Sequence, residues 1–240
     1  MTSTANNTDD GSPAVCPAII IPALNEEPAI GRVIARIPYP ASCVTVVDNG
    51  STDRTADIAR AAGAHVVREP RRGYGRACLA GLREAYASPI VVFLDADMSE
   101  DPGDIPALIQ PIARGRADFV LSHRDGVGRP WHALAGTSMC VGAINVLWRS
   151  RYHDLGPLRA IRRDALDALR MTDVTWGWTI EMQVKAFEAR LRTLELPIAC
   201  RLRIGTSKIS GTPGGTIRAG TKMLATITRL WWTREQRRTA

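Results

Sequence analysis

A chain of 240 residues that is 45% hydrophobic and 23% charged has the size and composition of one globular domain, which excludes wholesale disorder and fibrous repeats. Its net charge of +7 points to an anionic partner, but an aromatic content of 5% leaves few stacking platforms, so a nucleic-acid partner is not expected. Cys16, Cys43, Cys78, Cys140 and Cys200 are odd in number and widely separated, and read as reduced structural thiols.

Residues 1–14 are polar and read as a floppy tail without the basic start and apolar core of a signal peptide. No later stretch reaches the roughly 18 apolar residues of a membrane span, so a cytoplasmic protein is expected. Ala18 to Pro22 predicts a strand, and Ile30, Val33, Ile34 and Ile37 recur at helical spacing until Pro38. Val44 to Val47 is a second strand ending at Asp48; the turn-rich Asn49-Gly50-Ser51-Thr52-Asp53 and a helix from about Arg54 to Ala62 follow. Val66 and Val67 give a third strand, Gly75 to Ala87 a helix, and Ile90 to Leu94 a fourth strand, apolar on both faces as the centre of a parallel sheet requires. Ala107 to Arg114 reads as helix, Phe119 to Ser122 as strand and Pro130 to Trp148 as mainly helical. Gly156 to Ile161 reads as strand or loop, Thr179 to Arg190 as helix and Thr193 to Arg201 as an edge strand. The alternation predicts an α/β fold, Rossmann-like, with an open, mostly parallel twisted sheet and helices on both faces. Such sheets bind ligands beyond the carboxyl ends of their strands, where Asn25, Asp48 and Asp95 fall.

Asp95-Ala96-Asp97 follows an apolar strand directly. Two carboxylates one residue apart can turn into one crevice and offer hard oxygen ligands to Mg2+ or Mn2+ bridging a diphosphate; two solvated aspartates ending a strand are the alternative. Asp48 ends a neighbouring strand, where a carboxylate accepts a nucleobase N–H or merely serves the turn and the next helix.

Pro22-Ala23-Leu24-Asn25-Glu26-Glu27, Val47-Asp48-Asn49-Gly50-Ser51-Thr52-Asp53 and Leu94-Asp95-Ala96-Asp97, in this order, resemble the family 2 glycosyltransferases of the GT-A fold. Asp154 to Arg159, Glu181-Met182 and Arg203 to Lys208 are similar to the branch that moves mannose or glucose from GDP or UDP to dolichyl or polyprenyl phosphate with inversion, in its form without transmembrane helices. The resemblance covers about Pro17 to Lys208. It implies that Pro22, Ala23 and Glu26 line the nucleotide, Asp48 reads the base, and Asp95 and Asp97 handle the diphosphate and its Mg2+ or Mn2+. Asn49 stands where many relatives carry a second Asp, and the base, guanine or uracil, stays open. Arg72, in Arg72-Gly73-Tyr74-Gly75, becomes a phosphate contact. Asp154 matches the family's base or acceptor-orienting carboxylate, and Glu181 is expected on a helix facing the cleft; a surface ion pair is the alternative for each. A phosphate acceptor is largely ionised at neutral pH, so positioning matters more than proton removal, and cations must surround it. Arg124, Arg201, Arg203 and Lys208, with Ser207, are the candidates.

Thr216 to Trp232 follows the breaker Pro213-Gly214-Gly215 and sets Met223, Leu224, Ile227, Leu230 and Trp231 on one side of a helix, with Arg218, Lys222 and Arg229 almost opposite. Such a helix suits an anionic bilayer surface, or packs on the domain as an ordinary C-terminal helix. The expected organisation is a tail over 1–14, a transferase domain over 15–212 and a basic helix over 213–240. The expected partners are a GDP- or UDP-sugar donor, a polyprenyl phosphate acceptor and, through the last helix, the cytoplasmic membrane face. A related transferase with a soluble acceptor is the alternative, and the oligomeric state stays open.

Overall fold

The computed structural model describes residues 15–85, 87–124, 131–205 and 213–239, without the side chains of 213–218 and 237–239. Its strands are β1 (Ala18–Ala23), β2 (Val44–Asp48), β3 (His65–Arg68), β4 (Ile90–Phe93), β5 (Phe119–Arg124), β6 (Arg159–Arg162) and β7 (Thr193–Ile198). The helices are α1 (Ile30–Arg36), α2 (Thr55–Ala61), α3 (Tyr74–Glu84), α4 (Ile105–Ala113), α5 (Trp131–Trp148), α6 (Arg163–Leu169), α7 (Trp178–Glu188) and α8 (Pro213–Thr239).

The strands form one sheet in the order β3-β2-β1-β4-β6-β5-β7, in which β6 runs antiparallel to β4 and β5 while the other pairings are parallel. The chain moves outward from β1 through β2 to β3, and α3 then returns it to lay β4 against the other side of β1. That reversal opens a crevice at the carboxyl ends of β1 and β4. Side chains alternate between the faces of the sheet: Ile19, Ile21, Val46 and Val92 pack with α1 and α4, whereas Ile20, Val47, Val91 and Phe93 pack with α3, α5 and α7. Burial on both sides explains the unbroken apolar runs, each fully buried Ile or Val contributing roughly 1.5–3 kcal/mol.

Three expectations change, and one open alternative, the surface that the last helix covers, is decided. Helix α6 was not foreseen; it follows β6 without an intervening turn signal and buries only Ala165, Leu166 and Leu169. Helix α8 begins at Pro213 and takes both following glycines into its first turn; proline has no N–H to lose at a helix start, so it opens this helix. The apolar side of α8 covers the domain: Ile227 is buried, and Met223, Leu224, Leu230 and Trp231 pack on the cluster shared with α5 and α7. Finally, Cys16 and Cys43 form a disulfide with Cα atoms 6.6 Å apart, because the parallel pairing of Ile19 with Val44 brings the starts of β1 and β2 together. Helix α5 is half core: Cys140, Val141, Ile144 and Trp148 are buried, while Trp131, Met139 and Val146 are exposed. No helix among the described residues is long and apolar enough to cross a membrane.

Candidate active site

The first two motifs brace each other across the ends of β1 and β2. Asn25 donates its N–H to Ser51 Oγ at 3.0 Å, and its Oδ1 accepts the Thr52 N–H at 2.7 Å. Glu26 N–H reaches Thr55 Oγ1 at 2.8 Å, Glu27 N–H reaches Asp53 Oδ2 at 3.2 Å, and Arg54 N–H returns to Glu27 Oε2 at 3.0 Å. Much of the polar signature in this pair therefore secures two loops at the crevice. Asp48 belongs to the same framework, its Oδ1 accepting the Ser51 N–H at 2.8 Å.

Asn49 holds the next loop. Its amide donates to the carbonyls of Glu69 and Arg71 at 3.0 and 2.9 Å, and its Oδ1 accepts the Gly73 N–H at 2.8 Å. Two donors and one acceptor are needed together, which an aspartate cannot supply. This explains the departure at this position. The loop so held presents Arg72, Gly73 and Tyr74 to a cleft of about 450 Å³.

Pro22, Ala23, Glu26, Asp95, Asp97 and Arg203 line that cleft with Arg72. Asp95 accepts from the Tyr74 hydroxyl at 3.1 Å; burial first, and then the charge of Asp97, push its carboxyl up to about 6, against Tyr74, Arg124 and Arg203. Arg203 bridges Asp97 at 3.1 Å and Glu26 at 3.2 Å, and its Nε is buried without a hydrogen-bond partner among the described residues. Asn49, Tyr74, Thr175, Trp176 and Lys222 also line the cleft and were not identified from sequence. Trp176 stands in the Gly- and aromatic-rich Thr175-Trp176-Gly177-Trp178, the one local signal available. A larger cavity of about 850 Å³ beside Tyr152, Phe187 and Leu191 shares no lining residue with the motifs.

Asp48, Arg124, Asp154, Glu181 and Arg201 are not among the lining residues. Asp154 is buried and holds Arg124 through both oxygens, at 2.6 Å from Nε and 3.0 Å from Nη2. Burial works against the Arg124 charge, but the bond to Asp154 raises its pKa overall, and Arg124 lies near enough to lower that of Asp95. Glu181 is buried and accepts the N–H groups of Thr172 and Asp173 at 2.9 and 2.7 Å, and its Oε1 lies 2.9 Å from Lys185 Nζ. Burial opposes its ionisation, but these bonds keep the carboxyl below its ordinary range. Its place is behind the wall: it fixes the loop that carries Thr175 and Trp176. Arg201 pairs with Asp101, which also binds Arg36, and its backbone N–H donates to the Ser99 carbonyl. Ser207 and Lys208 lie outside the described residues.

Two further groups are buried behind the site: Glu100, which carried no sequence signal, and Arg159, which ends the Asp154 to Arg159 motif but was given no role. Glu100 accepts the Leu158 N–H at 2.8 Å and bonds Ser122 Oγ, and burial pushes its carboxyl up to about 7. Arg159, almost fully buried in β6, donates to the carbonyls of Leu155, Gly156 and Thr179.

A family model described as glycosyl transferase family 2 matches residues 18–170. An uncharacterized glycosyltransferase of Mycobacterium tuberculosis is 41% identical over 203 residues, which are 83% of this chain and 92% of that protein. The dolichyl-phosphate hexose transferase of Haloferax volcanii is 33% identical over 205 residues, which are 82% of this chain and 88% of that protein. Among solved structures, glucosyl-3-phosphoglycerate synthase from Mycobacterium tuberculosis in complex with phosphoglyceric acid gives a TM-score of 0.74 at 25% identity, covering 89% of this chain and 79% of that one. The same enzyme with Mn2+, UDP-glucose and glycerol 3-phosphate gives 0.73 at 25% identity, covering 89% and 79%. Because the match spans most of the sheet, and its motifs meet at the crevice where such a sheet takes its ligand, this chain belongs to glycosyl transferase family 2 and is a nucleotide-sugar transferase.

Proposed function

We propose that the chain is a Mg2+- or Mn2+-dependent inverting hexosyltransferase that moves mannose or glucose from a GDP- or UDP-sugar to a phosphate-bearing acceptor, with polyprenyl phosphate at the cytoplasmic membrane face as the first reading. The observation that carries it is the placement of Asp95 and Asp97 in one cleft with Arg72, Arg203 and Lys222. Among the described residues no group of three or more ligating side chains is assembled. Two carboxylates still suit these ions, since Mg2+ is commonly held by one or two carboxylates together with substrate phosphates and water. In the free protein the guanidinium of Arg203 offsets the charge of Asp97. A cleft of about 450 Å³ is within the ordinary range for small-molecule sites.

Asp95 and Asp97 would hold the ion, which when bound offsets charge on the departing diphosphate. Tyr74 bonds Asp95, and Arg72 and Arg203, which line the same cleft, would pair with phosphate oxygens. An acceptor phosphate oxygen forms the new bond to the anomeric carbon as the bond from that carbon to the nucleoside diphosphate breaks, and the configuration inverts. An ionised phosphate needs little help from a base, which fits the enclosure of Asp154 and Glu181 by hydrogen bonds. Asp154 acts through Arg124 as a positioning residue. The phosphate acceptor is supported by the name of the Haloferax volcanii relative and by the phosphoglyceric acid and glycerol 3-phosphate bound to the synthase.

Chelation by EDTA should abolish sugar transfer and added Mn2+ restore it, while Asp97→Ala should lower kcat by about 100-fold or more, a loss typical of removing one electrostatic group from a transition state. Full activity in chelator rules out the metal. A second reading, a soluble phosphorylated acceptor, is favoured by the packing of the apolar side of α8 on the domain and by the likeness to the synthase. Sedimentation with anionic vesicles decides between them: binding that Trp131→Ser weakens supports the lipid acceptor, and its absence supports the soluble one.

A further inference from the structure

One wall of the cleft is built by two segments distant in sequence, the loop carrying Thr175 and Trp176, and helix α8; this loop adjoins the one carrying Arg72, the Gly75 N–H donating to the Thr175 carbonyl at 3.0 Å. Asp173 joins them. It caps the loop by accepting the Thr175 N–H at 2.7 Å, and it accepts from Thr226 Oγ1 at 3.0 Å and from Arg229 at 3.4 Å, both on α8. Gly177 lets the helix approach, since a Cβ there would sit 2.2 Å from Thr226 Oγ1. Lys222, Thr226 and Arg229 are spaced four and three residues apart and so form one row on α8. Thr226 and Arg229 bind Asp173, whereas Lys222, one turn nearer the cleft, places Nζ 5.4 Å from the centre of the Trp176 ring. No carboxylate pairs with Lys222 among the described residues, and it lines the cleft.

We infer that Lys222 and Trp176 form the acceptor subsite, in which Lys222 binds the acceptor's phosphate and Trp176 packs against the group that carries it. The inference rests on the phosphate-acceptor reading above and locates its site. The number of cations in the cleft favours the acceptor over the donor. Arg72, on the loop held by Asn49, and Arg203 already stand in the cleft for the donor diphosphate, which leaves Lys222, brought in by α8, for the second anion. An indole face supplies apolar area and attracts the lysine cation, so an ammonium over the ring is held without being neutralised and remains able to pair with a phosphate. Helix α8 then has a catalytic-domain task, and the basic character of its row follows from Asp173 on one side and an anionic acceptor on the other. The phosphate could belong to a polyprenyl lipid or to a small soluble acid, and the subsite serves either.

Full-length wild type, Lys222→Met and Lys222→Arg would be compared with Mn2+ and UDP-glucose or GDP-mannose, using farnesyl phosphate in one arm and glycerol 3-phosphate in the other. Thermal unfolding would confirm equal folding. Lys222→Met should raise the KM of whichever acceptor is used by about 10- to 100-fold, the loss expected for one charged hydrogen bond, and Lys222→Arg should recover most of it. The Kd of UDP or GDP with Mn2+, measured by calorimetry, should change by less than about twofold. Transfer to farnesyl phosphate identifies the lipid source and transfer to glycerol 3-phosphate the soluble one. Wild-type transfer with an unaltered KM in Lys222→Met, or an equal loss of nucleotide affinity, overturns the subsite alone. A wild-type protein that hydrolyses donor but transfers to neither phosphate overturns the acceptor class and the subsite together.

Discussion

At Asn49 one amide group decides whether a loop is held. Its NH2 serves two carbonyls and its oxygen one N–H, so Asn49→Asp removes two donors and sets a carboxylate against the Glu69 and Arg71 carbonyls. Such a buried loss should cost about 1–3 kcal/mol and free Arg72 from its place, so thermal stability and nucleotide affinity should fall together. Unchanged nucleotide binding would show that the loop does not serve the donor. Glu100 gives a pH signature. Burial raises its carboxyl from 4.5 to about 7, so between those values the folded chain keeps a proton that the unfolded chain has released. Its contribution to stability therefore declines as pH rises from 4.5 through about 7 and is level above that. Glu100→Gln can keep both hydrogen bonds and never ionises. Its urea stability should rise relative to wild type across that window, and a constant difference would reject the account. Residues such as Asp95 and Asp97 were legible because a strand end faces a crevice whatever the rest of the chain does. Asp154 and Glu181 were harder to read, since nothing local announces Arg124 or the N–H groups of Thr172 and Asp173 as their partners.

At the scale of elements, helices whose apolar spacing repeats over two turns or more were readable, and their neighbours were not. The row of Met223, Leu224, Ile227, Leu230 and Trp231 looks the same whether a bilayer or a protein core covers it. In the structure the core covers it, and Thr226 fastens the helix to Asp173. Ile227→Ala should therefore destabilise the whole protein by about 2–4 kcal/mol in urea titration, within the range for a large-to-small change in a packed core. Removing residues 213–240 should go further, exposing apolar surface of α5 and α7 and lowering solubility. A truncated chain as stable as the full one would contradict this packing. Helix α5 divides differently, with one face buried and Trp131, Met139 and Val146 left outside.

For the whole molecule, the decisive feature is the reversal of strand order at β1, which sets β1 and β4 side by side and gathers motifs more than 70 residues apart in sequence into one cleft. The Cys16–Cys43 disulfide ties the starts of β1 and β2 at the opposite end. In the chain-entropy account a loop of this length contributes roughly 3 kcal/mol, so a reductant should lower the unfolding midpoint and leave a Cys43→Ser variant unaffected. A wild type indifferent to reductant would mean that the thiols are free in solution. By itself the sequence determined the strands, most of the helices, the α/β class and the paired aspartates, because periodicity and turn chemistry are properties of neighbouring residues. Tertiary structure alone decided the antiparallel insertion of β6, the cysteine pairing, the surface that α8 covers, and the arrival of Trp176 and Lys222 at the cleft. Those outcomes depend on which distant surfaces meet, and that is set by the packing of the complete sheet and its two helical layers.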